Sequence, residues 1–363
     1  MAKYVVRRLI QAIPVIIGIS VVIYAIMLAA PGGPVQRFAN NPKVTNEQRA
    51  AFVKSWGLDQ PIPVQYCRWI GACDPDQGGI ALLRSNGVPN ILPASVGGGK
   101  NGMLHGDLGF SIDTGQAVSE RIGLAALPTL LLAGSALLIW VTLAILLGVF
   151  AALKPYSLFD KVATIFSYVG FAVPTFWLGL MLILVFGADL KILPVSGMTD
   201  TRLSPPFGSA AYWTYFGKTP ITAFLDVAKH LILPVITLVV VSIAGDSRFV
   251  RASMLEALGQ DYVRTARAKG LPGRVVVFRH ALRNALLPVV TNIGLEIPFL
   301  FSGAIVTESI FSWPGEGRLF ITAVNGFDYT ILMGILFITA MLTVFANLLA
   351  DVLYAVVDPR IKY

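Results

Sequence analysis

Apolar residues come in long blocks along this chain, and polar ones gather between them. Residues 9–30 carry no charge, enough for a helix to cross about 30 Å of hydrocarbon. Lys3, Arg7 and Arg8 precede that block. It is long for the apolar core of a signal peptide, and its small residues are followed by Pro31, so it reads as an uncleaved first span. Further blocks predict spans over 124–153, 162–186, 231–245, 285–306 and 329–357. Pro174 interrupts the third, where neighbouring helices can satisfy the backbone groups freed at a proline. The fourth is short for a crossing, with His230 and Arg248 expected near opposite interfaces and the arginine snorkelling. Six spans put both termini on one side, and the basic ends place that side inside.

The segments between the blocks differ in character. Residues 31–123 form a long polar region predicted outside the membrane. Within it 45–56 reads as a short helix, with Thr45 capping and Gln48 three residues on. Residues 74–101 are rich in Gly, Pro, Asn and Ser. Residues 187–229 are also predicted outside, with Tyr212, Trp213 and Tyr215 suited to the interface. Residues 308–328 return outside, and 246–285 form a basic loop inside.

Composition agrees with this pattern. Of 363 residues, 55% are hydrophobic and only 13% charged, against about 25% charged in an ordinary soluble domain. This is an integral membrane protein. The net charge of +8 is explained by topology, because the short inside segments hold roughly half of the Lys and Arg. No basic face on a soluble module is visible, which argues against a nucleic-acid partner.

Little catalytic chemistry is present. No G-x-S-x-G elbow, H-E-x-x-H pair or paired Cys cluster occurs, so no catalytic residue is assigned. Residues 94–101 only approach a phosphate-binding loop. Ala94 stands where glycine is required and Asn101 where Ser or Thr is required. Cys67 and Cys73 are too few for a zinc site, which needs four ligands. A disulfide between them is permitted outside a bacterial membrane, and two free thiols are the alternative. His230 and His280 lack partners at metal spacing, so no metal is assigned. His105 belongs to a predicted turn. Within the fifth span, Asn292 and Glu296 are candidate lining groups of a translocation path. A carboxylate in a span usually faces the bundle interior or water, and a paired structural carboxyl is the other reading. Asp351, near the inner end of the last span, reads as an anchor.

The stretch 260–284 stands apart. Asp261 can cap a helix, residues 262–269 give about two turns, Gly270 suits the left-handed residue that ends it, and Pro272 stops it. Ala266, Ala268 and Gly270 keep one side thin enough for another protein to approach. Arg267 and Lys269 lie at the helix C-terminus, where positive charge is favoured.

Here the chain resembles a known family. Arg264-Thr265-Ala266-x3-Gly270-x9-His280-x-Leu282 is similar to the "EAA" loop of bacterial ABC-importer permeases, Glu-Ala-Ala-x3-Gly-x9-Ile-x-Leu-Pro. It departs from that form at Arg264, Thr265, His280 and Arg283. Those departures resemble the dipeptide, oligopeptide and nickel permease family, as do HGDLGFS at 105–111, TESIFSWPGEGR at 307–318 and VDPRI at 357–361. The resemblance implies an all-α membrane protein of six transmembrane helices with the type I importer permease (MetI-like) fold, a cytoplasmic coupling helix and a large extracytoplasmic loop after the first span. Its expected parts are 1–30, an extracytoplasmic region at 31–120, the permease core at 121–354 and a cytoplasmic tail at 355–363.

The resemblance also implies partners: a homologous second permease, two ABC ATPase subunits and an extracytoplasmic solute-binding protein, assembled in the bacterial inner membrane with both termini cytoplasmic. ATP and Mg would be used by the ATPases, with no cofactor bound by this chain. The coupling residues would be Asp261, Tyr262, Arg264, Thr265 and Ala266, continuing through Arg267, Ala268, Lys269, Gly270 and Leu271. Cargo would be di- or oligopeptides, with nickel, opines or sugars as alternatives. An ion-coupled secondary transporter is a rival from another class, disfavoured because the two halves show no repeat. A non-transporting scaffold gives no reason for the helix at 262–269.

Overall fold

The computed structural model describes residues 2–30, 50, 53, 58–72 and 102–357, with the side chains of 2–5, 295–303 and 349–357 excepted. All of the expected helix at 45–56 except residues 50 and 53, the stretch 74–101, Cys73 and the tail from 358 lie outside the described residues, as do the side chains of Glu296 and Asp351.

Apart from one isolated antiparallel bridge between Phe110 and Ala117, the regular structure among the described residues is helical. α1 spans Ala2–Ala29 and α2 Ile62–Ile70. A 3₁₀ turn at Met103–His105 follows, then α3 at Val118–Leu153. α4 is Leu158–Ala172, and α5, Thr175–Leu182, runs on into a π-helical stretch at Ile183–Asp189. α6 is Ala210–Lys218, α7 Pro220–Gly259 and α8 Asp261–Ala268. A turn at Gly273–Val275 and a π-helical stretch at Val276–Ala281 lead into α9, Leu282–Ile310. α10 is Glu316–Asn325 and α11 Tyr329–Val357.

Two expected spans differ from the sequence reading. Pro174 does not sit inside one helix: α4 and α5 meet at a bend of 100°. Proline lacks an N–H and drives the residue before it out of the helical region, and Val173 is accordingly extended at φ −78°, ψ 123°. The short fourth span is part of a helix of 40 residues. Charges that mark span ends in the sequence are carried inside α7 by local bonds. His230 Nδ1 lies 2.8 Å from Asp226 O and 3.2 Å from Asp226 Oδ1, and Arg248 Nε donates to Ala244 O at 3.0 Å.

Four described helices are long and apolar enough to cross a membrane: Val6–Ala29, Val118–Leu153, Pro220–Gly259 and Tyr329–Leu348. The bent pair α4–α5 makes a fifth if it counts as one span. The expected span at 285–306 lies within α9.

The chain divides into two compact units, Met1–Leu127 with Arg318–Phe345, and Pro128–Gly317 with Ala346–Tyr363. The first is built around fully buried Trp69. Tyr24 and Tyr66 ring it at 5.4 and 6.0 Å, and Phe337 meets it edge-on at 6.2 Å. Tyr24 Oη donates to Gln65 Oε1 at 3.0 Å, so the buried polar tip is satisfied. The predicted turn at His105 is present. Gly106 is left-handed at φ +77°, and Asp107 Oδ1 accepts from Gly109 N. Asp328 then ties this loop to the start of α11. It accepts from Ser111 Oγ, from Ile112 N at 3.2 Å and from Thr330 Oγ1 at 2.6 Å.

The second unit has two apolar clusters. One gathers Leu132, Trp140, Val235, Ile243 and Trp313. The other gathers Val149, Val250, Met254, Val263, Val276 and Val289 around α8. Helices approach closely at glycines: a Cβ at Gly148 of α3 would strike Val250 of α7.

Candidate functional site

A single residue, Gln260, separates α7 from α8. Gln260, extended at φ −74°, ψ 152°, is the N-cap of α8 and makes no side-chain capping bond. Asp261 is therefore the first helical residue and not the cap. Its carboxylate still sits at the positive end of the helix, where it is favourable. Arg264 Nη1 reaches Asp261 Oδ1 at 3.3 Å, but both groups are largely exposed, so the pair adds little. Thr265 Oγ1 donates to Asp261 O at 2.9 Å.

The C-terminus closes as the sequence suggests. Gly270 N donates to Arg267 O and Leu271 N to Ala266 O, with Gly270 left-handed at φ +75°. This is the paired bonding of a Schellman motif, and Pro272 follows it.

One stripe of α8 faces this chain's own core. Val263 is 0% and Ala266 6% exposed, packed with Met254, Ala257, Val276 and Ala281. Ala266 is thus not on the open side, as its small size suggests. The reason is its spacing from Val263: positions three apart share a helix face. The open side consists of Asp261, Tyr262, Arg264, Thr265, Arg267 and Ala268, followed by Lys269, Gly270 and Leu271. Tyr262 and Leu271 offer apolar area among basic groups, so the surface suits a partner with a partly apolar, partly acidic groove. α8 is wedged between α7 and the lead-in to α9.

Asn292 does not stand alone. Its Nδ2 donates to Asp246 Oδ1 at 3.2 Å, and Trp140 Nε1 donates to Asp246 Oδ2 at 2.5 Å. Asp246 is buried and so joins α3, α7 and α9. The sequence pattern puts it in the inside loop, because it ends an apolar run; the continuing helix carries it into the core instead.

Glu308, expected in an outside segment, is fully buried at the end of α9. Thr129 Oγ1 donates to Glu308 Oε1 at 2.7 Å and accepts from Glu316 N at 2.8 Å. Trp313 Nε1 donates to Pro128 O at 2.8 Å. Burial and the neighbouring Glu308 push the Glu316 carboxyl up to about 7. The sequence signal for this knot is the Ser-Trp-Pro-Gly-Glu-Gly run, whose spacing holds a turn against the two carboxyls. Among the described residues no cluster of metal-ligating side chains occurs. Cys67 is buried and disulfide-bonded.

Residues 144–363 match the family described as the binding-protein-dependent transport system inner membrane component, and residues 1–77 match the N-terminal model of that membrane component. The chain belongs to this family. It shares 39% identity with the oligopeptide transport system permease protein AppB of Bacillus subtilis (strain 168), covering 100% of both chains. Identity is 37% with the dipeptide transport system permease protein DppB of Escherichia coli (strain K12), over 100% of this chain and 99% of that protein. It is 36% with the di/tripeptide transport system permease protein DppB of Pseudomonas aeruginosa (strain UCBPP-PA14), with the same coverage. A crystal structure of an amino acid ABC transporter with histidines superposes with a TM-score of 0.43 and 17% identity, over 65% of this chain and 94% of that one. The inner membrane component family accounts for the long apolar helices, and it makes the chain a membrane component of a transport system.

Proposed function

We propose that this chain is the permease subunit of an ATP-driven importer of di- or oligopeptides, and that residues 261–271 couple it to ATPase subunits. The observation that carries the coupling is the two-sidedness of α8. Val263 and Ala266 lock it to the core of its own chain, while its basic, partly apolar face stays open. The peptide reading rests on the functions named for the full-length relatives. The full arrangement is six spans with both termini in the cytoplasm of a bacterium, a homologous second permease, two ATPases using ATP and Mg, and an external solute-binding protein. Asn292 and Glu296 belong beside the cargo path.

Two measurements test this. Ala268→Trp, on the open face, should abolish co-purification with the co-expressed ATPase subunits while the permease still reaches the membrane. Unchanged co-purification removes the coupling role. In cells lacking the chain, uptake of a labelled dipeptide should return on complementation; return of nickel or sugar uptake in its place would reassign the cargo.

The Cys67–Cys73 bridge belongs to the same reading, since an oxidising compartment is what permits it. Alkylation without reductant should leave both cysteines unmodified, and alkylation after reduction should label two. Two labels without reductant refute the bridge.

A further inference from the structure

The surface where α4 packs on α7 carries a group of cations that the coupling reading does not use. Gly170 lets the helices close: a Cβ there would lie 3.2 Å from Ala244 Cβ and from Val240 O. Ser167 Oγ and Ser247 Oγ meet across the contact at 3.0 Å. Beside them is a small cavity lined by Thr164, Ser167, Ser247, Arg248 and Arg251.

The two arginines are held but not used up. Arg251 grips Asp160 through Nε at 2.6 Å and Nη2 at 2.8 Å. Its Nη1 makes no hydrogen bond among the described residues. Among the described residues Arg248 donates through Nε alone, to Ala244 O. Its guanidinium lies over the rings of Tyr168 and Phe171 at 4.9 and 5.4 Å, which fixes the plane and leaves both Nη groups without a hydrogen-bond partner among the described residues. Asp160 pairs with Arg251 alone, Arg248 lies beside the same cavity with no carboxylate partner among the described residues, and Lys161 is exposed close by in sequence. The local charge is positive.

The surroundings say what kind of anion fits. Tyr168 and Phe171 are more than half exposed, and so are Val162 and Ile165 on the same helix. An apolar face of that kind on a membrane protein is chemically suited to acyl chains. A free anion uses none of it, whereas a phospholipid uses both the forked cations and the greasy wall. Arginine is the better partner for a phosphate because its planar fork binds two oxygens at once. Basic pockets between helices at a membrane face take anionic head groups for the same reason.

We infer that the cleft between α4 and α7, at Arg248, Arg251, Ser167 and Ser247, is a binding site for the phosphate head group of an anionic phospholipid. It lies on the end of α7 that leads into α8, so the lipid belongs to the leaflet facing the proposed ATPases; that placement rests on the coupling reading. Bound there, the head group pins α4 to α7 within one unit and stiffens the helix that carries α8.

The test is lipid retention by the purified full transporter, read by native mass spectrometry during titration with dioleoyl-phosphatidylglycerol or dioleoyl-phosphatidylcholine. Wild type should retain the glycerol lipid in preference to the choline lipid. Arg248→Gln removes the fork without stripping Asp160 of its partner, and should weaken phosphatidylglycerol retention about tenfold, the loss of a charge-assisted hydrogen bond. Arg248→Lys should restore part of it. Equal retention by wild type and Arg248→Gln overturns the site. Equal loss of both lipids in the variant overturns it as well. Displacement of phosphatidylglycerol by inorganic phosphate would make this a free-anion site and overturn the lipid assignment. Transport and ATPase binding are not the readout, so failure of the coupling reading would be seen separately.

Discussion

Trp140 Nε1 donates to Asp246 Oδ2 at 2.5 Å, and through that carboxylate α3, α7 and α9 share one polar centre with Asn292. An indole N–H and an amide are satisfied by a single buried acid, in a region otherwise filled by Ala136, Val239 and Ile243. Asp246→Ala leaves both donors without that acceptor, at a cost of about 1–3 kcal/mol each. The purified transporter should show a clearly lowered Tm. Asp246→Asn keeps one oxygen and one donor in place and should fall between wild type and Asp246→Ala. An unchanged Tm for the alanine variant would show that the three helices do not depend on this centre.

How much of the fold is readable in the sequence follows from what each residue has to satisfy. α8 is legible at both ends, because Gly270 and Pro272 act through backbone geometry that sequence states directly. Its start is displaced by one residue from the sequence reading, since Gln260 takes the cap position without a capping bond. The size of Ala266 suggests an open side, whereas spacing from Val263 decides the face. Asp246 and Glu308 escape the sequence pattern for one shared reason. A charge ends a hydropathy block, so the pattern places it outside, while the structure satisfies it with Trp140 and Thr129 from far along the chain. Pro174 is visible in the sequence, but its effect is not. A proline can bend a helix or end it, and the 100° outcome depends on what packs around it.

Gly315 gives a sharper test of the buried knot. A Cβ there would fall on the Glu308 carboxyl group, which is itself fully buried and bonded to Thr129. Gly315→Ala should therefore cost about 1–3 kcal/mol, the usual penalty of overpacking. A Cβ at Gly217 in α6 would meet nothing within 4 Å among the described residues, so Gly217→Ala should stay within about 0.5 kcal/mol of wild type. Thermal unfolding of the two variants side by side measures the difference. A neutral Gly315→Ala would mean that the carboxyl can move aside freely.

Glu316 makes stability depend on pH. Its carboxyl is pushed from 4.5 to about 7 by burial and by Glu308. Below 4.5 the folded and unfolded states both hold the proton, and the group has no effect. Between 4.5 and 7 only the folded state keeps it, so stability falls as pH rises, and it levels off above 7. The full change is roughly 3 kcal/mol by linkage. Glu316→Gln holds no titrating proton and should remove that part of the slope. Tm against pH for both proteins checks this; parallel curves would mean that Glu316 titrates alike in the folded and unfolded protein.

Gly270 separates the two reasons a glycine can matter. At φ +75° any residue with a Cβ is strained, yet a Cβ there meets nothing within 4 Å among the described residues. Gly270→Ala should cost about 1 kcal/mol of stability, the left-handed penalty. Gly270→Asn should cost less, because asparagine tolerates that conformation through local hydrogen bonding. If α8 docks against a partner, the order changes for binding. Asparagine is the larger side chain, so it should weaken co-purification with the ATPase subunits more than alanine does. Stability ranked Gly, Asn, Ala together with partner binding ranked Gly, Ala, Asn is a signature that folding strain alone cannot produce. Identical rankings in both measurements would mean that the open face of the helix near Gly270 touches no partner.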